Sequence, residues 1–278
     1  MRGHEARLTR RSRDLSGHSF SKALSPPFPQ NHTPRSDPAG RAFFDKRLYI
    51  GRMTNSRLGG LKPCVALFDL DGTLTWRDTL IPFLMRYALH HPQRLLRLWQ
   101  LLPSALRYLA DHDRGLMKSC FIRAVMAGDT RSRVDSWADE YVAGLEARRV
   151  FRPAALSVLE SHRLAGDRLV LLSASPDLYV PRIGALLGFE RSVCTEVAWQ
   201  QERLDGRLRT PNRRGEEKSR CLKWLRTQYP GLPVVAYGNS ASDLPHMREA
   251  DLALLVNANG AARREAAAAG IPTAEWNG

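Results

Sequence analysis

The chain has 278 residues, of which 43% are hydrophobic, 8% aromatic and 25% charged. This is the composition of an ordinary globular protein, and it excludes wholesale disorder. The sequence contains no run of about 18 uncharged apolar residues, which argues against an ordinary transmembrane helix. Its 42 Lys and Arg residues against 28 Asp and Glu residues give a net charge of +14, and such a balance attracts phosphorylated substrates or anionic lipid.

The first 60 residues carry 12 of the basic and 4 of the acidic residues. They lack apolar periodicity and hold five prolines between positions 26 and 38. We therefore predict that residues 1–60 form a disordered basic tail. Because the aromatic partners that usually accompany a nucleic-acid-binding patch are not found, no specific nucleic-acid binding is expected.

Cysteines and histidines do not form the patterns of a metal site. The four cysteines (Cys64, Cys120, Cys194 and Cys221) are far apart, and the eight histidines include no H-x-x-x-H. This spacing is typical of reduced thiols in a cytoplasmic protein and disfavours a zinc hydrolase.

The first ordered element is predicted at residues 64–68, a short apolar run followed by a polar turn, as in a buried parallel strand. Residues 79–148 are predicted to be helical because apolar residues recur at helical spacing around 80–88 and 95–109. A break is expected at residues 128–130, where Gly, Asp and Thr follow one another.

Strands are predicted again at residues 169–172, 234–237 and 252–256, with helices around 153–165, 176–187 and 216–228. The segment 197–208, which contains Asp205-Gly206, indicates a small hairpin. Strands that alternate with helices favour an α/β fold with a parallel sheet. We assign the core to residues 61–75 and 151–278, and an inserted helical cap to residues 76–150.

Asp69 and Asp71 stand two residues apart at the end of the first predicted strand. Positions i and i+2 of an extended chain point the same way, and ligands of open α/β sheets bind at the carboxyl ends of the strands. Two carboxylates are therefore expected to face one pocket. Gly72 permits a tight turn there, and Thr73 offers a hydroxyl and a backbone N–H.

Residues 68–74, Phe-Asp-Leu-Asp-Gly-Thr-Leu, resemble the first motif of the haloacid dehalogenase superfamily. The resemblance implies a Rossmann-like, three-layer parallel sheet core, an aspartyl-phosphate mechanism and Mg²⁺ as the cofactor. It covers about residues 62–260.

The remaining motifs of that superfamily can be found in order. Ser173 ends an apolar strand, as the second motif requires, and Ser175 before Pro176 is expected to cap the next helix. Lys218 lies near a predicted helix start, like the third motif. In the fourth motif Asp243 is retained, and Asn239 stands where the family usually has an Asp.

The resemblance implies a role for each of these residues. Asp69 would be the nucleophile and Asp71 the general acid and base. Phosphate would be held by Thr73, Ser173 and Lys218. The expected Mg²⁺ ligands are Asp69, the main-chain carbonyl of Asp71 and Asp243, with the uncharged Asn239 as the weakest.

The position of the helical insertion is similar to that of subfamily IB, the phosphoserine-phosphatase-like branch. Phosphoserine phosphatases carry a Glu where this chain has Asp78, which would select the substrate. Residues 75–84 look more like the uncharacterised hydrolases of this branch and phosphatidylglycerophosphatase C. Segment 94–108 of the cap is rich in Arg, Leu and Trp, which is compatible with peripheral contact at a membrane or with ordinary helix packing.

The favoured function is a cytoplasmic Mg²⁺-dependent phosphatase that acts on a small phosphorylated metabolite or a lipid head group. Phosphoserine phosphatase is the alternative within this class. A second class stays open because of Asn239, namely a non-catalytic binding or regulatory protein on the same scaffold.

Overall fold

The computed structural model describes residues 63–101 and 113–277. The predicted tail at 1–60, and the part of the cap segment from 102 to 108, lie outside these residues. The described residues form eight strands: β1 (Val65–Phe68), β2 (Arg168–Pro176), β3 (Arg191–Thr195), β4 (Val197–Gln200), β5 (Arg203–Leu208), β6 (Val234–Gly238), β7 (Leu252–Val256) and β8 (Thr273–Ala274).

Six of these strands form one parallel sheet in the order β3-β2-β1-β6-β7-β8. The strand β1 lies at the centre, where Val65 is paired with Arg168 of β2 and Val234 of β6. All four residues of β1 are buried, as expected for a parallel strand covered on both faces.

The helices of the described chain are α1 (Leu80–His90), α2 (Arg114–Met126), α3 (Arg131–Ala147), α4 (Pro153–Leu164), α5 (Val180–Leu186), α6 (Glu216–Gln228), α7 (Leu244–Glu249) and α8 (Gly260–Ala268). Short 3₁₀ helices lie at Pro92–Leu101 and Ala241–Asp243. The predicted α/β class with a parallel sheet is confirmed, and α6 has the predicted bounds.

Alternate residues of β1 belong to two different hydrophobic cores. Val65 and Leu67 pack with apolar residues of α6, whereas Ala66 and Phe68 pack with those of α4 and α5. Period-two alternation therefore places helices on both faces of the sheet and produces three layers. Helices α7 and α8 extend the layer on the α6 side.

Helices α1, α2 and α3 lie between β1 and β2 in the sequence, where the inserted block is predicted. The residues that α1 buries are those of the predicted apolar repeat: Leu80, Phe83, Leu84, Tyr87 and Ala88. The predicted break also occurs, because α2 ends at Met126 and the Thr130 side chain caps α3. None of the described helices has the length and hydropathy needed to cross a bilayer.

The hairpin predicted at residues 197–208 is formed by β4 and β5, but the turn is not where Asp205-Gly206 indicated. The turn residues are Gln201 and Glu202, which both adopt positive φ angles. Successive positive φ angles are those of the tight type I′ hairpin turn. Asp205 and Gly206 lie within β5 instead, where the Cα of Arg123 passes 3.1 Å from the position a Cβ on Gly206 would take.

Candidate active site

The chain turns sharply at the carboxyl end of β1. The Asp69 N–H donates to the Tyr237 carbonyl of β6 at 3.0 Å, and the turn Leu70–Leu74 follows. Gly72 adopts φ +85°, and a Cβ there would lie 2.0 Å from Nδ2 of Asn239. This turn therefore requires glycine for its backbone angle and for the close approach of Asn239.

Lys218, in the first turn of α6, contacts two carboxylates in the buried centre of the site. Its Nζ lies 2.6 Å from Oδ1 of Asp69 and 2.6 Å from Oδ1 of Asp243. The other oxygen of Asp69 accepts the Thr73 hydroxyl at 3.1 Å. The other oxygen of Asp243 accepts the Ser240 hydroxyl at 2.8 Å. Three chain segments that are distant in the sequence thus meet at the carboxyl-terminal end of the sheet.

The electrostatics of this cluster separate its two carboxyl groups. Burial raises the pKa of Asp69 to about 7, and the neighbouring Asp243 adds to the rise although Lys218 opposes it. Burial also acts to raise the pKa of Asp243, but Lys218 and the Ser240 hydroxyl outweigh it and hold that pKa well below its usual range. Burial would lower the pKa of Lys218, and its two carboxylate partners raise it instead. The ammonium group is therefore charged at neutral pH.

Asp71 is held by a separate set of hydroxyl groups. Its Oδ1 accepts the backbone N–H and the hydroxyl of Thr79, each at 2.7 Å, and its Oδ2 accepts the Ser175 hydroxyl at 2.6 Å. The Tyr179 hydroxyl lies 2.9 Å from that of Thr79 and also hydrogen-bonds Ser175. Burial raises the pKa of Asp71, and repulsion from Asp78 adds to this effect.

These groups face a cavity of about 220 Å³. The cavity is lined by six of the residues chosen from the sequence: Asp69, Asp71, Asp78, Lys218, Asn239 and Asp243. Thr73 and Ser173 are fully buried and are not among its lining residues in the described chain. The Ser173 hydroxyl oxygen accepts the Ser175 N–H at 3.0 Å. Ser173 therefore holds the backbone of Ser175, which lines the cavity.

Several residues of the site are not found by sequence reasoning. Ser175 binds Asp71 and does not cap the next helix, because β2 continues to Pro176 and α5 begins only at Val180. Lys118 reaches the cavity from α2, and its Nζ donates to the Ala174 carbonyl and to Oδ1 of Asn212 at 2.7 Å. Burial lowers the pKa of Lys118 to about 8, although the charges of Asp71 and Asp78 oppose this change. Arg114 and Arg214 line the cavity as well.

The donor set around Asp69 fits a hard divalent cation. Carboxylate oxygens of Asp69 and Asp243, main-chain oxygens of the turn and the Asn239 amide are the oxygen ligands that Mg²⁺ prefers. The Lys218 ammonium is shared between two carboxylates, Asp69 and Asp243. A bound cation beside these two carboxylates would offset the remaining negative charge.

A second cluster of metal-ligand type is formed by Cys64, His162 and Asp167, all buried. Both ring nitrogens of His162 are engaged, with Asp167 at 2.6 Å and with the Tyr237 hydroxyl at 2.7 Å. No ring nitrogen is left for a metal ion, so this cluster is a hydrogen-bonded network.

Comparison with known proteins identifies the class of protein that this fold and site define. The model of the haloacid dehalogenase-like hydrolases matches residues 66–248, and the chain belongs to this family. The sequence-based prediction of an enzyme of this superfamily is therefore confirmed.

Relatives in bacteria are similar over most of the chain. Protein CicA of Caulobacter vibrioides is 29% identical over 77% of this chain and 94% of its own length. A probable phosphatase of Mycobacterium tuberculosis is 26% identical over 79% of this chain and 78% of its own.

Solved structures share the fold at lower identity. A protein of unknown function from Bordetella pertussis superposes with a TM-score of 0.61 at 19% identity, over 78% of this chain and all of that one. A phosphoserine phosphatase, solved as an analogue of its phospho-aspartyl intermediate, gives a TM-score of 0.54 at 15% identity, over 78% and 95% of the two chains.

Proposed function

We propose that the protein is a Mg²⁺-dependent phosphatase that hydrolyses a phosphomonoester through an aspartyl-phosphate intermediate. The observation that carries the proposal is the meeting of Asp69, Lys218 and Asp243 in one cavity, with Asp71 two residues after the nucleophile. The substrate would be a small phosphorylated metabolite or the head group of a lipid. The similarity to a probable phosphatase supports this class of reaction.

In the first half of the reaction, a carboxylate oxygen of Asp69 attacks phosphorus and the bond to the ester oxygen breaks. Asp71 donates its proton to the departing oxygen, and its raised pKa suits it for this role. In the second half, Asp71 takes a proton from the water that attacks phosphorus. Phosphate then leaves, and the Asp69 carboxylate is regenerated.

Lys218 offsets the charge of the Asp69 carboxylate beside a phosphate dianion. Thr73 orients Asp69 through its hydroxyl. Because the side chains of Thr73 and Ser173 are fully buried, these two residues would hold phosphate oxygens through atoms other than their side chains. Mg²⁺ would be held by Asp69, the Asp71 carbonyl and Asp243, with Asn239 beside them. When bound, it supplies positive charge that lowers the repulsion between nucleophile and substrate.

We further propose that residues 76–150 act as a cap over a core formed by 61–75 and 151–278. The support for this division is Lys118, which reaches the cavity from α2 within the inserted block. A cap residue in the cavity would contact the leaving group and so contribute to substrate choice. Asp78 and Arg114, which also belong to the insert, line the same cavity.

Phosphoserine is the alternative substrate within this function. The Asp78 side chain is engaged at the start of α1, where its Oδ1 accepts the N–H of Leu80 at 2.9 Å and of Ile81 at 3.1 Å. An aspartate that caps a helix has less reach toward a substrate amine than the glutamate of phosphoserine phosphatases. A panel of phosphorylated metabolites that includes phosphoserine and phosphatidylglycerophosphate would separate the two.

The test of the proposal is hydrolysis of p-nitrophenyl phosphate with Mg²⁺ and with chelator. The Asp69→Asn variant is expected to lose roughly 10³-fold or more of the activity, because an amide is a poor nucleophile. Asp139→Asn, a change in a surface ion pair, is the matched control and should retain it. Borohydride reduces an acyl phosphate, so treatment during turnover should convert Asp69 to homoserine, detectable by mass spectrometry.

Full activity in Asp69→Asn would disprove the assignment of the nucleophile. Absence of activity in the wild-type protein over a range of divalent metals and pH would instead favour the non-catalytic alternative. That alternative is motivated by Asn239, which lacks the charge of the usual aspartate.

A further inference from the structure

A second cavity, of about 500 Å³, adjoins the candidate active site. Asp78 lines both cavities. Four arginines line the second one, and together with its walls we call it the arginine groove: Arg77, Arg86, Arg148 and Arg149. The walls include the aromatic rings of Trp76 and Tyr141.

Within the described residues, no ion pair offsets the charge of the arginine groove. Several arginines elsewhere in the described chain pair with carboxylates, for example Arg94, Arg182 and Arg248. No such ion pair involves any of the four groove arginines within residues 63–101 and 113–277. The one carboxylate that lines the groove is Asp78, whose Oδ1 accepts two backbone N–H groups of α1.

One of the arginines, Arg148, lies beside an aromatic wall of the groove. The Arg148 guanidinium lies 5.9 Å from the centre of the Tyr141 ring. Burial raises the pKa of the Tyr141 hydroxyl and Asp71 adds to the rise, whereas the charges of Arg148 and Arg86 act to lower it. Arg149 adopts φ +50°, a left-handed angle that non-glycine residues adopt only at an energetic cost.

We propose that the arginine groove binds a phosphate group. Guanidinium forks match phosphate oxygens in two-pronged hydrogen bonds, and a cleft with four positive side chains against one negative side chain concentrates anions. The phosphate could belong to a lipid head group or to a free ion, since the recognition chemistry is the same. The groove is distinct from the candidate active site and does not depend on the phosphatase reaction.

The experiment compares the full chain with the double variant Arg86→Gln and Arg148→Gln. Arg264→Gln, an exposed arginine of α8, is the matched control. One arm titrates inorganic phosphate by calorimetry. The other measures co-sedimentation with vesicles of phosphatidylcholine, alone or with about one third phosphatidylglycerol. Thermal melting by circular dichroism verifies that all variants fold.

The expected result is a loss in the double variant that the control does not show. If the ligand is a free ion, the variant binds one phosphate fewer per chain or binds it at least tenfold more weakly. If the ligand is a lipid head group, the vesicle arm shows the tenfold loss, confined to the anionic vesicles and reduced by salt. All proteins carry the same residues 1–60, so that segment cannot produce the difference.

Equal binding by the wild-type protein and the folded double variant in both arms would overturn the proposal. The groove would then be a solvated charged surface. Because no arm measures turnover, this result would leave the proposed phosphatase function unaffected.

Discussion

Two buried clusters of ionisable side chains lie against the central sheet, and they differ in how their charge is balanced. In one cluster, His162 meets Asp167 at 2.6 Å, and the other carboxylate oxygen of Asp167 accepts the Cys64 N–H at 2.9 Å. One acid faces one base. In the other cluster, Lys218 is shared by Asp69 and Asp243, with Asp71 in the same cavity.

The difference indicates which buried charges are structural and which are available for chemistry. The His162 cluster satisfies its own hydrogen bonds, as most buried polar groups do. In the Lys218 cluster two acids share one base, burial raises the pKa of Asp69 to about 7, and the cluster opens to a cavity. A shared cation and a shifted pKa beside a cavity, rather than burial alone, indicate a functional site.

The largest effect on stability is expected from Lys218→Met. The change leaves the buried carboxylates of Asp69 and Asp243 without their cation, which should lower the free energy of unfolding by about 3–5 kcal/mol and abolish phosphatase activity. Urea denaturation measures the first effect. Lys223→Met, on the exposed side of the same helix, is the control and should change the free energy by less than about 1 kcal/mol.

A change in the balanced cluster should affect stability without affecting chemistry. Asp167→Asn weakens the contacts with His162 and with the Cys64 N–H, and we expect a loss of about 2–4 kcal/mol in the free energy of unfolding. At temperatures where the variant is folded, kcat should equal that of the wild type. Glu140→Gln, at an exposed position of α3, should be neutral. A large fall in kcat of folded Asp167→Asn would contradict the separation of the two clusters.

Asp177 provides a pH-dependent test, because it is a partly buried acid outside both clusters. Burial raises its pKa to about 6, although the Val197 N–H opposes the rise. The folded state therefore holds a proton that the unfolded state releases near pH 4, and stability falls as the pH rises from about 4 through 6. Asp177→Asn should add at most about 3 kcal/mol at pH 7, and the gain should vanish near pH 4. Chemical denaturation at both pH values checks this, and a gain independent of pH would contradict it.

The smallest effect is expected from Tyr179→Phe, a positioning change in the site. Tyr179 contacts Thr79 and Ser175, which both hydrogen-bond Asp71. A less well oriented Asp71 should slow an alkyl phosphate about tenfold, because its leaving oxygen needs a proton. The loss with p-nitrophenyl phosphate should be smaller, since that leaving group departs as an anion. Equal losses on the two substrates would indicate a merely structural role.

The sequence predicts the parts of the site that a strand or helix end determines locally. Asp69 and Asp71 follow an apolar run, and Lys218 lies in the first turn of a helix whose bounds are predicted correctly. Lys118 and Tyr179 are not predicted, because they reach the cavity through packing between elements that are distant in the chain. Ser175 is wrongly assigned as a helix cap because a serine before proline is typical of a cap as well as of a strand end.

The turn of the β4–β5 hairpin is misplaced for a related physical reason. Asp-Gly is the common turn pair, but here the strand pairing imposes positive φ angles on Gln201 and Glu202. Gly206 is required at its position by the close approach of Arg123. Local preference therefore yields to tertiary contact at this hairpin, as it does at Ser175.

The central place of β1 in the sheet has a consequence for biosynthesis. Val65 pairs on one side with Arg168 and on the other with Val234, so β1, the first of the described strands to be synthesised, is among the last to gain both neighbours. Until then its apolar residues are exposed to chaperones and to other nascent chains. Because Lys218 and Asp243 are made later still than β2, a truncated chain could not assemble the cluster, and abortive translation products would be inert.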